Sequence, residues 1–147
     1  MARNEIEHSG IKKGDALKKA KAFIQAIHHF RDDALSVTTP PIEKVVVFDE
    51  AQRAWTLEQT SNFMKSKKGI SNFNQSEPNF LISIMDRHQD WATIICLVGG
   101  GQEINKGEAG LPEWFAALRT NYPDWDVYVS PEISQEEYTR GEHIQQM

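Results

Sequence analysis

Two short apolar runs limit most strongly what this chain can fold into. Lys44-Val45-Val46-Val47-Phe48 and Thr93-Ile94-Ile95-Cys96-Leu97-Val98 are rich in β-branched residues and continuous rather than alternating. Such runs suit strands buried on both faces, as in parallel sheets flanked by helices. Around them the apolar spacing changes to three and four residues. Leu17, Ala20, Ile24 and Ile27 form one stripe, and Phe23, Ile27, Phe30 and Ala34 a second, so a helix is expected from Asp15. Ser36 to Pro41 stops it, because a residue before proline is pushed out of the α region.

Further helices are marked by their starts. Thr56-Leu57-Glu58-Gln59 predicts a capping box. Lys65 to Asn74 reads as a polar connector around Gly69. Ser76 with Pro78 opens a helix whose Phe80, Leu81, Ile84, Met85 and His88 face inward. Pro112 opens a short helix carrying Trp114, Phe115 and Leu118, and Ser134-Gln135-Glu136-Glu137 caps a last one bearing Tyr138. Val127-Tyr128-Val129 predicts a third strand. Helices alternating with short apolar strands imply one α/β domain, with a mostly parallel sheet and helices on both faces. Residues 1–14 are polar, carry Gly10 and Gly14, and read as a mobile N-terminal arm preceding a domain over 15–147.

Composition removes several function classes. At 39% hydrophobic and 25% charged, 147 residues fall among ordinary globular domains. A net charge of −5 argues against a dedicated, strongly basic nucleic-acid module. No apolar stretch approaches the roughly 18 residues of a membrane helix, so no membrane partner is expected. The polar start MARNEIEHSG lacks the apolar core of a secretory signal. The single cysteine, Cys96, excludes a disulfide framework and a cysteine-only zinc site, and fits a reducing cytoplasm.

Chemistry concentrates where the first strand ends in Asp49-Glu50. In a parallel sheet, groups at the carboxyl ends of strands point into the ligand crevice. Two acids there make the Walker B arrangement of P-loop nucleoside triphosphatases. Asp49 would hold Mg²⁺, usually through a water, and Glu50 would orient and deprotonate the attacking water. Many buried strands also end in acids merely because the chain returns to solvent. Ala51-Gln52-Arg53 narrows the choice by giving Asp-Glu-Ala-Gln, a form of motif II in helicase-like ATPases. The second strand runs into Gly99-Gly100-Gly101-Gln102, similar to the turn after the sensor strand of superfamily 1 helicases. A glutamine suits that place because an amide can donate to a phosphate oxygen and accept from water. The glycines are not a phosphate-binding loop: no Gly-x-x-x-x-Gly-Lys-Ser/Thr spacing occurs in the chain.

Phe48-Asp49-Glu50-Ala51-Gln52-Arg53-Ala54-Trp55, together with Gly101 to Gly110 and Glu113-Trp114, resembles a bacterial family of helicase-like P-loop ATPases related to the helicase-like domain of Schlafen proteins. The resemblance covers roughly Phe30 to Leu118. It implies a three-layer RecA-like P-loop fold, Mg²⁺ and ATP as cofactors, and a role in nucleic-acid transactions. By similarity Asp49 is the Mg²⁺ acid, Glu50 the general base and Gln102 the γ-phosphate sensor. Gln52, Arg53 and Glu108 match family positions without an assigned role. Arg53 either joins the site to a partner domain or pairs with a nearby acid, and pairing is the commoner fate of such arginines.

Relatives carry a Walker A segment on an earlier strand and continue into a second RecA-like domain. Neither has a counterpart in these residues, and Gly100 stands where a helicase motif offers an acid. The expectation is therefore an incomplete RecA-like domain without its P-loop strand, inactive alone. Its sensor strand, 93–98, would be an exposed apolar edge open to self-association. Two other classes stay open: a non-catalytic, ATPase-derived interaction module, and an unrelated α/β hydrolase using Asp49 and Glu50 as a metal or acid/base pair.

Smaller signals have plainer explanations. His28 and His29 are adjacent on a helix and point to different faces, so they do not chelate. His88 reads as a core or boundary residue, and Cys96 as an inert small hydrophobe. Trp91, Trp114 and Trp125 are expected in the core, with Trp55 the exception beside the motif. Lys65, Lys67 and Lys68 could touch nucleic acid, though a solvated loop explains them as well.

Overall fold

The computed structural model describes residues 27–99 and 106–134. The chain divides into two compact units, residues 1–38 and 39–147. The first contributes helix α1 (Ile27–Ala34), where Arg31 pairs with Asp32 at 2.8 Å. The His28 Nδ1 lies 3.4 Å from Arg31 Nη1, which ties that imidazole to its own helix. The expected arm at 1–14 and the last helix at 135–138 lie outside the described residues.

The second unit is a small α/β domain. Strand β1 (Val45–Phe48) lies parallel to β2 (Thr93–Cys96), with Val45 opposite Thr93 and Phe48 opposite Cys96. Between them run α2 (Leu57–Lys68) and α3 (Glu77–Met85), and α4 (Gly110–Asn121) follows β2. A two-stranded parallel sheet needs such a crossover, because parallel neighbours cannot be joined by a tight turn.

The register separates the sheet faces. Val46, Phe48, Ile94 and Cys96 share one face. Phe48 stacks on Trp114 of α4 with ring centroids 5.9 Å apart, so this face carries the core. Helix α3 is buried nearly all round, with Phe80, Leu81, Ile82, Ile84 and Met85 enclosed. Asn79 fastens α3 to the end of α4: its carbonyl accepts the Tyr122 hydroxyl at 3.3 Å, and its side-chain oxygen accepts Asn121 Nδ2 at 3.0 Å.

The opposite face differs from expectation. Val45, Val47, Ile95 and Leu97 are 48%, 55%, 43% and 49% exposed, so the strands are buried on one face only. Among the described residues, the packed helices α3 and α4 cover the Phe48 face. Their continuous apolar sequence therefore reflects two unlike surfaces, one core and one open.

Helix ends follow their capping chemistry. Thr56 Oγ1 accepts the Gln59 N–H at 3.3 Å, as the capping box predicts. The Thr56 N–H, however, donates to Gly107 O at 2.9 Å rather than to Gln59. Helix α2 continues through Lys65, Lys67 and Lys68, replacing the first part of the expected connector. Cations are favourable in the last turn of a helix, and Gly69 at φ +69° supplies the left-handed cap that ends it. Ser76 caps α3 by accepting the Asn79 N–H at 3.3 Å, and Pro78 sits in its first turn as predicted.

Val127-Tyr128-Val129 is not in a strand. Tyr128 is 90% exposed, and the described sheet has no third member for the segment to pair with. Trp91 is also exposed, against the expected core position, and Lys44 lies 5.0 Å over its ring. His88 caps a boundary instead of facing the core, with Nε2 3.0 Å from Glu43 O. Among the described residues, no helix is long and apolar enough to cross a membrane.

Candidate functional site at the strand ends

Phe48 delivers the chain to the carboxyl end of β1, where Asp49 and Glu50 follow directly. Asp49 is exposed, and its Oδ1 accepts the Glu50 N–H at 3.0 Å. Glu50 has φ 52° and ψ 45°, a left-handed conformation that costs a non-glycine residue roughly 1–2 kcal/mol. That twist starts a 3₁₀ turn over Ala51–Arg53. It also swings the Glu50 carboxylate toward the end of β2.

There the carboxylate meets two partners, one of which reaches on to β2. Gln52 Nε2 donates to Glu50 Oε2 at 2.5 Å, and Arg53 Nε lies 3.6 Å from the same oxygen. The Gln52 Oε1 accepts the Gly99 N–H at 3.3 Å. A side chain at position 99 would crowd this arrangement, since its Cβ would stand 3.0 Å and 3.1 Å from the two Glu50 oxygens. Gly99 is thus the floor on which the Glu50 carboxylate rests. Gln52, almost fully buried, is the strap across the two strand ends.

The turn itself is anchored from below. Trp114 Nε1 donates to Ala51 O at 2.8 Å, and Ala51 N–H donates to Leu97 O at 2.9 Å. The following residues are held by α3: Glu77 Oε1 accepts the Trp55 N–H at 3.3 Å, while the Glu77 N–H donates to Trp55 O at 3.0 Å. Trp55 stacks on Phe63 with centroids 5.2 Å apart. It therefore serves as a support for the motif.

Of the residues singled out by sequence, Asp49, Glu50, Gln52 and Arg53 come together at one end of the sheet. Glu108 joins through its backbone, in an antiparallel bridge with Trp55. Gln102 lies outside the described residues. Glu77 and Trp114 carry the site from behind; the sequence did not single out Glu77, and marked Trp114 only as a family-motif position expected in the core. An acid beside Pro78 in a first helical turn was the available signal for Glu77. Nothing local marks Trp114 as a partner of Ala51.

The donor set is hard oxygen. Asp49 and Glu50 supply carboxylates, and among the described residues no group of three or more His, Cys, Asp or Glu is placed to hold a metal by itself. Two carboxylates suit Mg²⁺, which keeps several waters and takes one or two protein acids beside phosphate oxygens. Zinc or another metal caged by protein alone is not supported by this arrangement. Cys96 adds nothing to the site, because burial pushes its thiol up to about 12.

A family model described as Schlafen group 3, DNA/RNA helicase domain, matches residues 1–146. The chain belongs to that family. The Schlafen relationship expected from residues 48–55 and 101–114 thus holds at the level of the helicase domain. No match was found among curated proteins or among solved structures. Within this Schlafen helicase domain, the strand-end constellation is where the described residues concentrate carboxylate, amide and guanidinium groups.

Proposed function

We propose that this Schlafen-family domain is part of a helicase-like P-loop ATPase acting on nucleic acid in the cytoplasm, with a RecA-like core. The observation that carries the reading is the Glu50–Gln52–Gly99 arrangement at the carboxyl ends of two neighbouring parallel strands. In that reading Asp49 and Glu50 form the Walker B pair. Asp49 would hold Mg²⁺, which when bound supplies charge neutralisation at the phosphate oxygens of ATP. Glu50 takes the proton of the attacking water, and Gln52 keeps its carboxylate at the strand end. Arg53 braces the same oxygen, and Gln102 senses the γ-phosphate. Phosphoryl transfer needs positioning more than covalent chemistry, which suits groups fixed on a strand.

The test has two arms. The 147-residue chain should show no saturable Mg²⁺-ATP binding by calorimetry in the micromolar range. A longer protein that includes a Gly-x-x-x-x-Gly-Lys-Ser/Thr segment and a second RecA-like domain should hydrolyse ATP, and Glu50→Gln should cut turnover about 100-fold or more while sparing binding. Unchanged turnover in that variant would sink the assignment of Glu50. Micromolar binding and turnover by the 147-residue chain would remove the need for a separate Walker A segment.

A second reading is a non-catalytic interaction module, favoured by the open apolar face of Val45, Val47, Ile95 and Leu97. It predicts that Val47→Asp abolishes a partner complex, or self-association, and that Glu50→Gln leaves it intact.

A further inference from the structure

Glu77 is a fully buried acid to which the proposed chemistry gives no role. An acid in the first turn of a helix is favoured by the helix dipole, and that alone would explain an exposed one. Burial needs a further reason, because an enclosed carboxylate is costly unless hydrogen bonds replace its water. The start of α3 does not use it as a cap. Ser76 Oγ accepts the Asn79 N–H, Pro78 has no N–H, and the Glu77 N–H goes to Trp55 O at 3.0 Å. Glu77 Oε1 instead accepts a donor from outside the helix, the Trp55 N–H at 3.3 Å. One residue thus grips both backbone polar groups of Trp55.

Trp55 is the middle of a short extended segment bonded on two sides. Its own N–H and C=O turn to Glu77. Those of its neighbours turn the other way, with Ala54 O accepting the Ala109 N–H at 2.6 Å and the Thr56 N–H donating to Gly107 O at 2.9 Å. Such alternation is strand geometry, and Glu77 takes the place a further strand would have. It thereby fixes 54–56 in register with 107–109. The grip reaches Glu50 through the 3₁₀ turn. The Ala54 N–H donates to Ala51 O at 3.3 Å and the Arg53 N–H to Glu50 O at 2.9 Å, so both bonds of the turn close on its first residues.

We propose that Glu77 is a positioning residue for Glu50. A left-handed non-glycine residue such as Glu50, at φ 52°, persists only where its surroundings over-determine it. Ala51, bonded to Leu97 and Trp114, holds the near end of the turn, and Trp55, gripped by Glu77, holds the far end. With the far end fixed the turn stays wound, Glu50 stays left-handed, and its carboxylate stays on Gln52 beside Gly99. The proposal deepens the ATPase reading, on which it rests for the role of Glu50, by naming what keeps that acid in place. The geometry is measured without nucleotide, so its failure leaves the turnover test of Glu50 untouched, and the reverse also holds.

The experiment compares the unchanged full chain with Glu77→Ala, Glu77→Gln and Ile84→Val by NMR. A positive φ brings a residue's own N–H and Hα close together, which gives a strong Overhauser contact. In Glu77→Ala that contact at Glu50 should fall to the level of the 3₁₀ residues after it. The Trp55 and Gly99 amides should then exchange with solvent at least about tenfold faster. Glu77→Gln should keep all three signals, since a carboxamide oxygen still accepts the Trp55 N–H. Ile84→Val trims the buried side of the same helix away from the clamp, so it should lower overall stability and leave the signals unchanged. If Glu77→Ala does not fold, Glu77→Asp replaces it, because its carboxylate is one methylene short of Trp55. A Glu50 contact and Gly99 protection that survive the loss of the clamp would overturn the proposal. So would their loss in Glu77→Gln or in Ile84→Val. In the longer ATPase, Glu77→Ala should lower kcat about tenfold with KM for ATP changed less than about twofold, and Glu77→Gln should restore kcat. An unchanged kcat in Glu77→Ala would overturn it as well.

Discussion

Gln52 and Gly99 are joined across the ends of β1 and β2, the glutamine side-chain oxygen accepting the glycine N–H at 3.3 Å. The same amide donates to Glu50 at 2.5 Å, so one side chain sets both the strand spacing and the acid's direction. Replacing Gln52 by Ala removes two hydrogen bonds, one of them to a carboxylate. A loss of about 1–3 kcal/mol in urea unfolding is expected. A change below about 0.3 kcal/mol would show that the strap is incidental.

Gly99→Ala tests the other half of that contact. The new methyl would stand 3.0 Å from a Glu50 oxygen, tighter than most real Cβ contacts, so Glu50 must give by a few tenths of an ångström. Glu50 is partly exposed and can yield, which keeps the stability cost to about 1 kcal/mol. The larger effect should be on the side-chain carboxyl resonance of Glu50, which shifts in carbon NMR if the contact is as described. An unshifted resonance would mean that Gly99 does not support the acid.

Trp114→Phe separates packing from hydrogen bonding. The ring contact with Phe48 survives in part, while Ala51 O loses its indole donor in a buried place. The expected cost is about 0.5–1.5 kcal/mol in thermal or urea unfolding, since the buried carbonyl loses one hydrogen bond and keeps only that from the Ala54 N–H at 3.3 Å. Trp114→Ala should cost more, about 3–5 kcal/mol, because a cavity is added. Equal costs for the two would indicate that only the volume matters.

The elements legible in the sequence were those carrying local signals. Thr56 and Ser76 announce their helices because a hydroxyl that accepts an N–H three residues on acts within one turn. The two β-branched runs announce β1 and β2. The burial of those strands was not legible, since continuous apolar residues look alike whether one face or both are covered. Nor was the end of α2, where three lysines read as a connector but are favoured by the helix dipole. Val127-Tyr128-Val129 has strand composition, yet pairing is decided by a neighbour and not by propensity. At the site, Asp49 and Glu50 stood out as acids at a strand end. The strap from Gln52 to Gly99 joins positions far apart in the chain, which no local pattern records.

Cys96 gives a chemical readout of the core face. Its thiol is pushed up to about 12 by burial, against an ordinary value near 8.5. At pH 8 the thiolate fraction is then on the order of 1,000-fold lower than in a free cysteine. Alkylation by iodoacetamide should be slowed to a comparable degree in the folded chain and return to the normal rate in urea. Labelling as fast as in urea would show that burial does not raise the thiol as described.

Lys44 and Asp90 tie the start of β1 to the loop before β2, and their ion pair gives the fold a defined acid response. The Lys44 ammonium hydrogen-bonds the Asp90 carboxylate and, aided by the Trp91 N–H, holds it down to about 2. The unfolded chain titrates this group at about 3.9. A group with a depressed folded pKa adds stability above its unfolded pKa and loses it as pH falls through the folded one. The contribution is therefore complete above about pH 4 and gone below about pH 2. Both side chains are open to water, so the pair is screened, and 1 M salt should raise the Asp90 midpoint toward its ordinary value. Carboxyl-detected NMR titration checks this directly. Lys44→Met should move the Asp90 midpoint upward, and Asp90→Asn should flatten the stability profile between pH 4 and 2. A midpoint that stays at about 2 in Lys44→Met would assign the shift to the backbone instead.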